Sequence, residues 1–212
     1  MGGTKILSAL FTAGGNILGI PVETPTPAVA RPEAIIEAIA HNFLGTVQNN
    51  DAGFEKIVCL GVGVPTTFSY DYGLLDPSPN LPTLIDYPLA RELTNRLGLP
   101  VAMEKDANCF LLGEMTHGAA HGCNNCCGIT IGTGLGLGMT IDGRLVRGAD
   151  FCAGEIWTSP YRDGILEDRV SGRAIAERYF AESSIRPPAG KNLAGWWPRW
   201  SGTRGSFSSG WV

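Results

Sequence analysis

Apolar positions along the chain recur at two spacings, and the spacing assigns the elements. Residues 5–11 and 17–22 read as strands around Thr12-Ala13-Gly14-Gly15-Asn16, so the chain is predicted to open on a hairpin closed by Pro25 and Pro27. From Pro32, placed for a first helical turn, to about Gln48, the side chains of Ile35, Ile36, Ile39, Phe43 and Leu44 share one helical face. Residues 56–64 read as a short buried strand ending at Pro65. Residues 66–82, rich in Pro, Asp, Ser and Tyr, read as a long surface loop over a cleft. A helix over 87–97 stops at Gly98 and Pro100, a strand covers 101–103, and a second helix spans 106–119. Residues 167–183 are again helical, with Ile175, Ala176, Tyr179 and Phe180 on one face. No fixed-period repeat is present.

The stretch from Ile129 to Trp157 breaks both spacings. Ile129-Thr130-Ile131 runs into a loop with glycine at 132, 134, 136 and 138, and a further apolar run ends at Asp142-Gly143, a two-residue hairpin turn. Glycine at that density lets a backbone approach a ligand and turn N–H groups toward phosphate oxygens. The loop leads into a strand rather than a helix, so it is neither a Walker loop nor a dinucleotide fingerprint. The pattern predicts a β-hairpin phosphate cradle.

Composition narrows the classes. The 212 residues are 44% hydrophobic and 17% charged with net charge −4, which is globular and gives no reason to expect a nucleic-acid partner. No apolar run is long enough to span a membrane and no leader pattern is present. Six cysteines show no disulfide framework, so a reduced, cytoplasmic setting is expected. His117, His121, Cys123, Cys126 and Cys127 include a C-x2-C, but no second half-site follows; no metal site and no structural zinc are expected.

Two carboxylates stand out. Asp106 follows a strand and opens a helix, where an acid serves either as a cap or as a general base that takes the proton from an attacking hydroxyl. Glu155, after Ala153-Gly154, lies one short loop beyond the glycine hairpin. A carboxylate there either faces solvent or accepts two hydroxyls of a sugar diol.

The motifs together resemble the ROK family of bacterial sugar kinases and repressors, glucokinase-like members above all, over residues 2 to about 180. Gly2-Gly3-Thr4-Lys5 resembles the first phosphate loop, Gly61-Val62-Gly63-Val64-Pro65 the G-x-G-x-P strand, and Ser78-Pro79-Asn80-Leu81-Pro82 the S-x-N-L-P loop. Glu104-Lys105-Asp106-Ala107-Asn108 resembles E-N-D-A-N, Ile131 to Gly138 the second phosphate loop, and Ala153-Gly154-Glu155-Ile156 the A-G-E-I segment. The resemblance implies an α/β chain of actin-like ATPase type, two ribonuclease-H-like lobes with the second incomplete. It divides into a first lobe over 1–118 with its first strand partly missing, a partial second lobe over 119–183 and an irregular tail over 184–212. That tail reads as an extension or as coding sequence in a shifted frame.

What the resemblance implies for activity is transfer of the ATP γ-phosphoryl, with Mg²⁺, to a hexose hydroxyl, the 6-OH of glucose or a related aldohexose. Asp106 is then the catalytic base. Asn80, Lys105, Glu155 and Glu167 are on the sugar side, and Gly2, Gly3, Thr4, Lys5, Gly132, Thr133 and Gly134 are at the ATP phosphates. The partners implied are a small sugar and ATP, with a homodimer allowed. Three departures accompany this. Lys105 replaces the sugar-touching Asn, Trp157 replaces the residue after A-G-E-I, and the zinc cysteine loop is missing, which marks a zinc-free branch. The family's Asp before the first glycines and its later adenosine contacts lie outside these residues, so weak or no phosphoryl transfer is expected of this chain. The rival readings are a non-catalytic sugar-binding or dimerisation module and, less favoured by the acidic charge, a sugar-responsive regulator.

Overall fold

The computed structural model describes residues 1–50 and 52–183. They form two compact units, one of Met1–Thr130 with Gly136–Ile156, the other of Ile131–Leu135 with the chain from Trp157 on. The tail expected over 184–212 lies outside the described residues.

In the first unit, β1 (Lys5–Phe11) and β2 (Ile17–Pro25) pair antiparallel, Lys5 opposite Pro25 and Phe11 opposite Ile17. β2 runs past its expected end at Val22 to Pro25, since a proline can occupy the end of a strand without breaking the ladder before it. Register shifts between Ser8 and Leu10, which leaves Ile20 in a bulge. The side-chain amide of Asn50 takes the place of a strand there: Oδ1 accepts the Ile20 N–H at 2.6 Å and Nδ2 donates to the Ile20 carbonyl at 3.1 Å.

Helix α1 (Pro32–Asn49) starts at its proline, and Nδ2 of Asn50 also donates to the Thr46 carbonyl in its last turn at 2.7 Å. Ile35, Ile36, Ile39 and Phe43 are buried as expected, whereas Leu44 is only half-buried. The same face buries two polar side chains. Asn42 Nδ2 donates to Thr24 Oγ1 at 3.0 Å and to the Val22 carbonyl at 3.2 Å. Ser8 Oγ donates to Asn42 Oδ1 and lies 2.5 Å from Thr46 Oγ1. The helix is thus fixed to the hairpin by direction-dependent bonds as well as by apolar contact.

The strand expected over 56–64 is shorter. Phe54–Lys56 forms a 3-10 turn with Phe54 edge-on to Phe43 at 6.2 Å, and β3 begins only at Leu60 (Leu60–Val64). The following segment is not the surface loop expected over 66–82: Phe68, Leu75 and Leu81 are buried in one core with Ile35, Val64 and Leu89. Its polar composition hides these isolated apolar anchors, each stabilising by about 2 kcal/mol. Helix α2 (Leu89–Leu97) starts after Pro88, two positions later than expected, buries Leu89, Leu93 and Leu97, and ends at Gly98 with φ 68°. It returns the chain to β4 (Val101–Lys105), parallel to β3 with Val64 opposite Lys105.

Helix α3 (Asp106–His117) follows without a break and ends two residues short of Ala119, where Glu114 accepts the Ala119 N–H at 2.8 Å. Next come β5 (Cys126–Ile131), β6 (Leu135–Ile141) and β7 (Arg144–Leu145), a sheet in that order. Asp142-Gly143 forms the expected tight turn, with φ of 51° and 72°. The glycine reading needs correction: only Gly132 and Gly134 lie between the strands, while Gly136 and Gly138 belong to β6. A Cβ at Gly138 would stand 2.8 Å from the Ala107 carbonyl oxygen, so this glycine admits a helix rather than a ligand.

The second unit holds a hairpin of β8 (Pro160–Tyr161) and β9 (Gly164–Ile165), then α4 (Glu167–Val170) and α5 (Gly172–Ser183). The single helix expected over 167–183 breaks at buried Ser171, whose backbone is extended and whose hydroxyl accepts the Ala174 N–H at 3.3 Å. Ile175, Ala176 and Phe180 are half-buried, and Tyr179 is exposed. Among the described residues no helix is long and apolar enough to cross a membrane.

Candidate functional site

The chemistry-bearing residues of the first unit gather where β4 passes into α3. Asp106 is the first helical residue, not the cap itself; the preceding Lys105 holds that position with extended backbone. One Asp106 oxygen, Oδ1, accepts the Ala107 N–H at 2.7 Å. The side chain keeps a face open to water. Even so, the protein around it raises its pKa above the ordinary 3.8, because burial outweighs the Ala107 bond, the chain's own N-terminal ammonium and Lys105, all of which lower it; Glu155 adds a smaller push upward. A carboxylate with raised proton affinity and solvent access is suited to take up a proton.

Lys105 points inward and is 5% exposed. Its ammonium pairs with the Glu155 carboxylate and donates to the Ala153 carbonyl at 2.8 Å. Three residues that are far apart in sequence or chemically opposed (Lys105, Asp106, Glu155) thus meet at one place. Gly154 makes the approach: its φ is 83°, and a Cβ there would lie 2.2 Å from the Leu137 carbonyl oxygen in β6.

Glu104, which opens the same segment and for which the sequence predicts no role, is the hub. Oε1 accepts the Lys105 N–H at 3.0 Å and Asn108 Nδ2 at 2.8 Å, and Oε2 accepts Arg147 Nε at 2.7 Å. Arg147 in turn offers its carbonyl to the Ala153 N–H at 2.9 Å. One carboxylate therefore ties the start of α3 to the segment carrying Glu155. Its signal in sequence was adjacency to Asp106 alone.

The first glycine loop lies against the loop that carries Asn80. A Cβ at Gly3 would stand 2.7 Å from the Asn80 carbonyl oxygen. The Gly2 carbonyl accepts Thr26 Oγ1 at 2.7 Å, and the Thr4 carbonyl accepts the Thr26 N–H at 3.1 Å. Asn80 is set by its own N–H, which donates to Ser78 Oγ at 3.2 Å. The Lys5 ammonium is exposed and pairs with Glu23 at 2.8 Å.

In the second unit Gly132, Thr133 and Gly134 form the tip between β5 and β6, closed by the Gly132 N–H donating to the Gly134 carbonyl at 2.9 Å. The Gly172 N–H donates to the Gly132 carbonyl at 2.8 Å. Glu167 reaches the same tip: Oε2 accepts the Leu135 N–H at 2.8 Å and would meet a Cβ at Gly134 at 2.6 Å. Cys126 Sγ lies 3.2 Å from Thr140 Oγ1, the His117 ring sits against Gly15, and no three His, Cys, Asp or Glu groups among the described residues converge.

Comparison with known proteins identifies the fold as that of the actin-like ATPase class. The structure superposes on a ROK family glucokinase from Streptomyces griseus, solved in complex with glucose and AMPPNP, with TM-score 0.75 and 29% identity over 87% of this chain and 61% of that one. In sequence the chain is 36% identical over 202 residues to a glucokinase of Streptomyces coelicolor, and 33% identical over 156 residues to one of Thermotoga maritima. These matches take in 89% and 74% of this chain but 59% and 47% of the two relatives, so it spans about half to three-fifths of their length. The ROK family profile matches residues 1–186, and the chain belongs to that family.

Proposed function

We propose that the protein is an ATP-dependent hexose kinase acting on the 6-hydroxyl of glucose or a related aldohexose. The hydroxyl oxygen attacks the γ-phosphorus, its proton passes to Asp106, and the bond from that phosphorus to the β–γ bridging oxygen breaks, releasing ADP. The nucleotide enters as its Mg²⁺ complex, which supplies charge neutralisation. By the family resemblance, Gly2, Gly3, Thr4 and Lys5 (Lys5 through its backbone) are assigned to the phosphates in the first unit, and Gly132, Thr133 and Gly134 in the second. By the same resemblance, Asn80, Lys105 and Glu155 of the first unit are assigned to the sugar, as is Glu167 of the second, one oxygen of which is already given to Leu135. The observation that carries the reading is the junction itself: Asp106 with raised proton affinity, next to the Lys105–Glu155 pair.

The test is glucose-dependent ADP release, expected to be weak in this chain, by the protein and by Asp106→Asn, with glucose binding followed by calorimetry. Loss of roughly 10²–10⁴-fold in release with glucose affinity retained is expected of a general base. No glucose binding, or turnover unchanged in Asp106→Asn, would overturn the proposal.

A further inference from the structure

Just ahead of Glu155, two successive non-glycine residues hold left-handed backbone, Asp150 at φ 45° and Phe151 at φ 60°. That conformation costs an L residue roughly five- to thirtyfold in population, so the pair persists only where its neighbours impose it. The neighbours here are aromatic. Phe151 is 7% exposed, and its ring stacks on Phe68 with centroids 3.9 Å apart and on Tyr70 at 6.1 Å, while the Arg147 guanidinium stands over it at 5.9 Å. Asp150 Oδ1 accepts the Tyr70 N–H at 2.9 Å. The segment that receives the ring is itself a tied turn. Its Ser69 N–H donates to the Leu74 carbonyl at 2.9 Å, its Gly73 N–H to the Ser69 carbonyl at 2.9 Å, and Phe68 bridges to Leu75.

Beyond the ring the chain has little freedom of its own. The Ala153 N–H donates back to the Arg147 carbonyl at 2.9 Å and the Cys152 N–H to the Ala149 carbonyl at 2.9 Å, which closes residues 147–153 into one loop. Gly154 then passes the Leu137 carbonyl and brings Glu155 to the Lys105 ammonium. Resting on the proposed sugar-kinase reading, we infer that Phe151 is a positioning residue for sugar binding, whose seat against Phe68 and Tyr70 imposes the left-handed backbone at 150–151 and so sets where Glu155 stands. It acts through the loop and requires no contact with the sugar. With the ring removed, the strained pair loses what holds it, the competent arrangement becomes a minor population, and apparent affinity falls by that fraction.

Calorimetry of the full chain with glucose, below the melting transition of each variant, tests this. Phe151→Ala keeps the strain and removes the ring; it should bind glucose at least about tenfold more weakly, since a misplacement of about 1 Å can cost more than that. Phe151→Tyr keeps the ring and should stay within about threefold of the unaltered protein. Leu93→Ala truncates another side chain of the same core, on α2, and should melt lower with glucose affinity kept, which separates positioning from loss of stability. A folded Phe151→Ala that binds glucose as the unaltered protein does would overturn the inference, as would an equal loss of affinity in Leu93→Ala or in Phe151→Tyr. If Phe151→Ala does not fold, Tyr70→Ala decides. Tyr70 is 75% exposed, so the core survives its truncation, and affinity should fall by about two- to tenfold, the range of one aromatic pair. Unchanged affinity there would overturn the inference equally. Absence of glucose binding by the unaltered protein would sink the kinase reading, and this inference with it, a result separate from binding that Phe151 does not affect.

Discussion

Replacing Gly154 by alanine should separate the geometry of the site from its chemical groups. Two costs arise. The residue has φ 83°, a conformation that strains an L side chain by about 1–2 kcal/mol. The new methyl would also begin 2.2 Å from the Leu137 carbonyl oxygen, whereas real contacts essentially never fall below 3.0 Å, so backbone must separate by at least the difference, 0.8 Å. Overpacking of that kind costs a further ~1–3 kcal/mol, for roughly 2–5 kcal/mol together. In a chain of this size the melting temperature should fall by roughly 4–20 °C. The displaced segment carries Glu155, and an error near 1 Å in a positioned group can weaken function by about a hundredfold. Differential scanning calorimetry and glucose titration read the two effects. Gly61→Ala is the control, since a Cβ there meets nothing within 4 Å and its φ is not left-handed; it should stay within about 0.5 kcal/mol. A Gly154→Ala protein that melts and binds glucose as the control does would refute the close approach on which the site depends.

Asp106→Asn should stabilise the fold at neutral pH. The unfolded carboxyl releases its proton near 3.8 while the folded one holds it to higher pH, so stability is lost as pH rises through that window, and the variant escapes the loss. Its advantage in thermal melts should be small, because Asp106 keeps a wet face, and should vanish below pH 3.8; an advantage that grows on acidification would reverse the sign. Asn42→Ala leaves the Val22 carbonyl and the Ser8 and Thr24 hydroxyls short of partners and should cost about 2–4 kcal/mol in urea denaturation, against under 1 kcal/mol if the network were incidental. Glu167→Ala removes the acceptor for the Leu135 N–H. Hydrogen exchange at that amide should accelerate by about tenfold or more, and unchanged protection would show that the loop holds itself.

Much of the fold was legible because local rules agreed with one another. Pro32 and the spacing of Ile35, Ile36, Ile39 and Phe43 gave α1, and Asp142-Gly143 gave its turn. The errors share a cause, which is that composition reports what a residue is and not what it faces. Gly136 and Gly138 looked like ligand-approaching glycines, but a close approach to a helix requires the same absence of Cβ. Phe68, Leu75 and Leu81 were lost among polar neighbours because single anchors have no period. Asp106 and Glu155 could each be named from sequence, but their meeting through Lys105 could not, because the separation of 50 between Lys105 and Glu155 is closed only by the fold. Glu104 is the same case: its bond to Arg147 exists only once β4 and the segment after β7 are in place.

The amide of Asn50 has a kinetic consequence. It serves the backbone of Ile20 on one side and the last turn of α1 on the other, so neither can open without the other losing a partner. Helix ends and bulges ordinarily fray independently and early. Here they are joined through one residue, and the hairpin bulge and the helix terminus should open as a single cooperative step, with the amide of Ile20 exchanging at the rate at which the end of α1 unwinds.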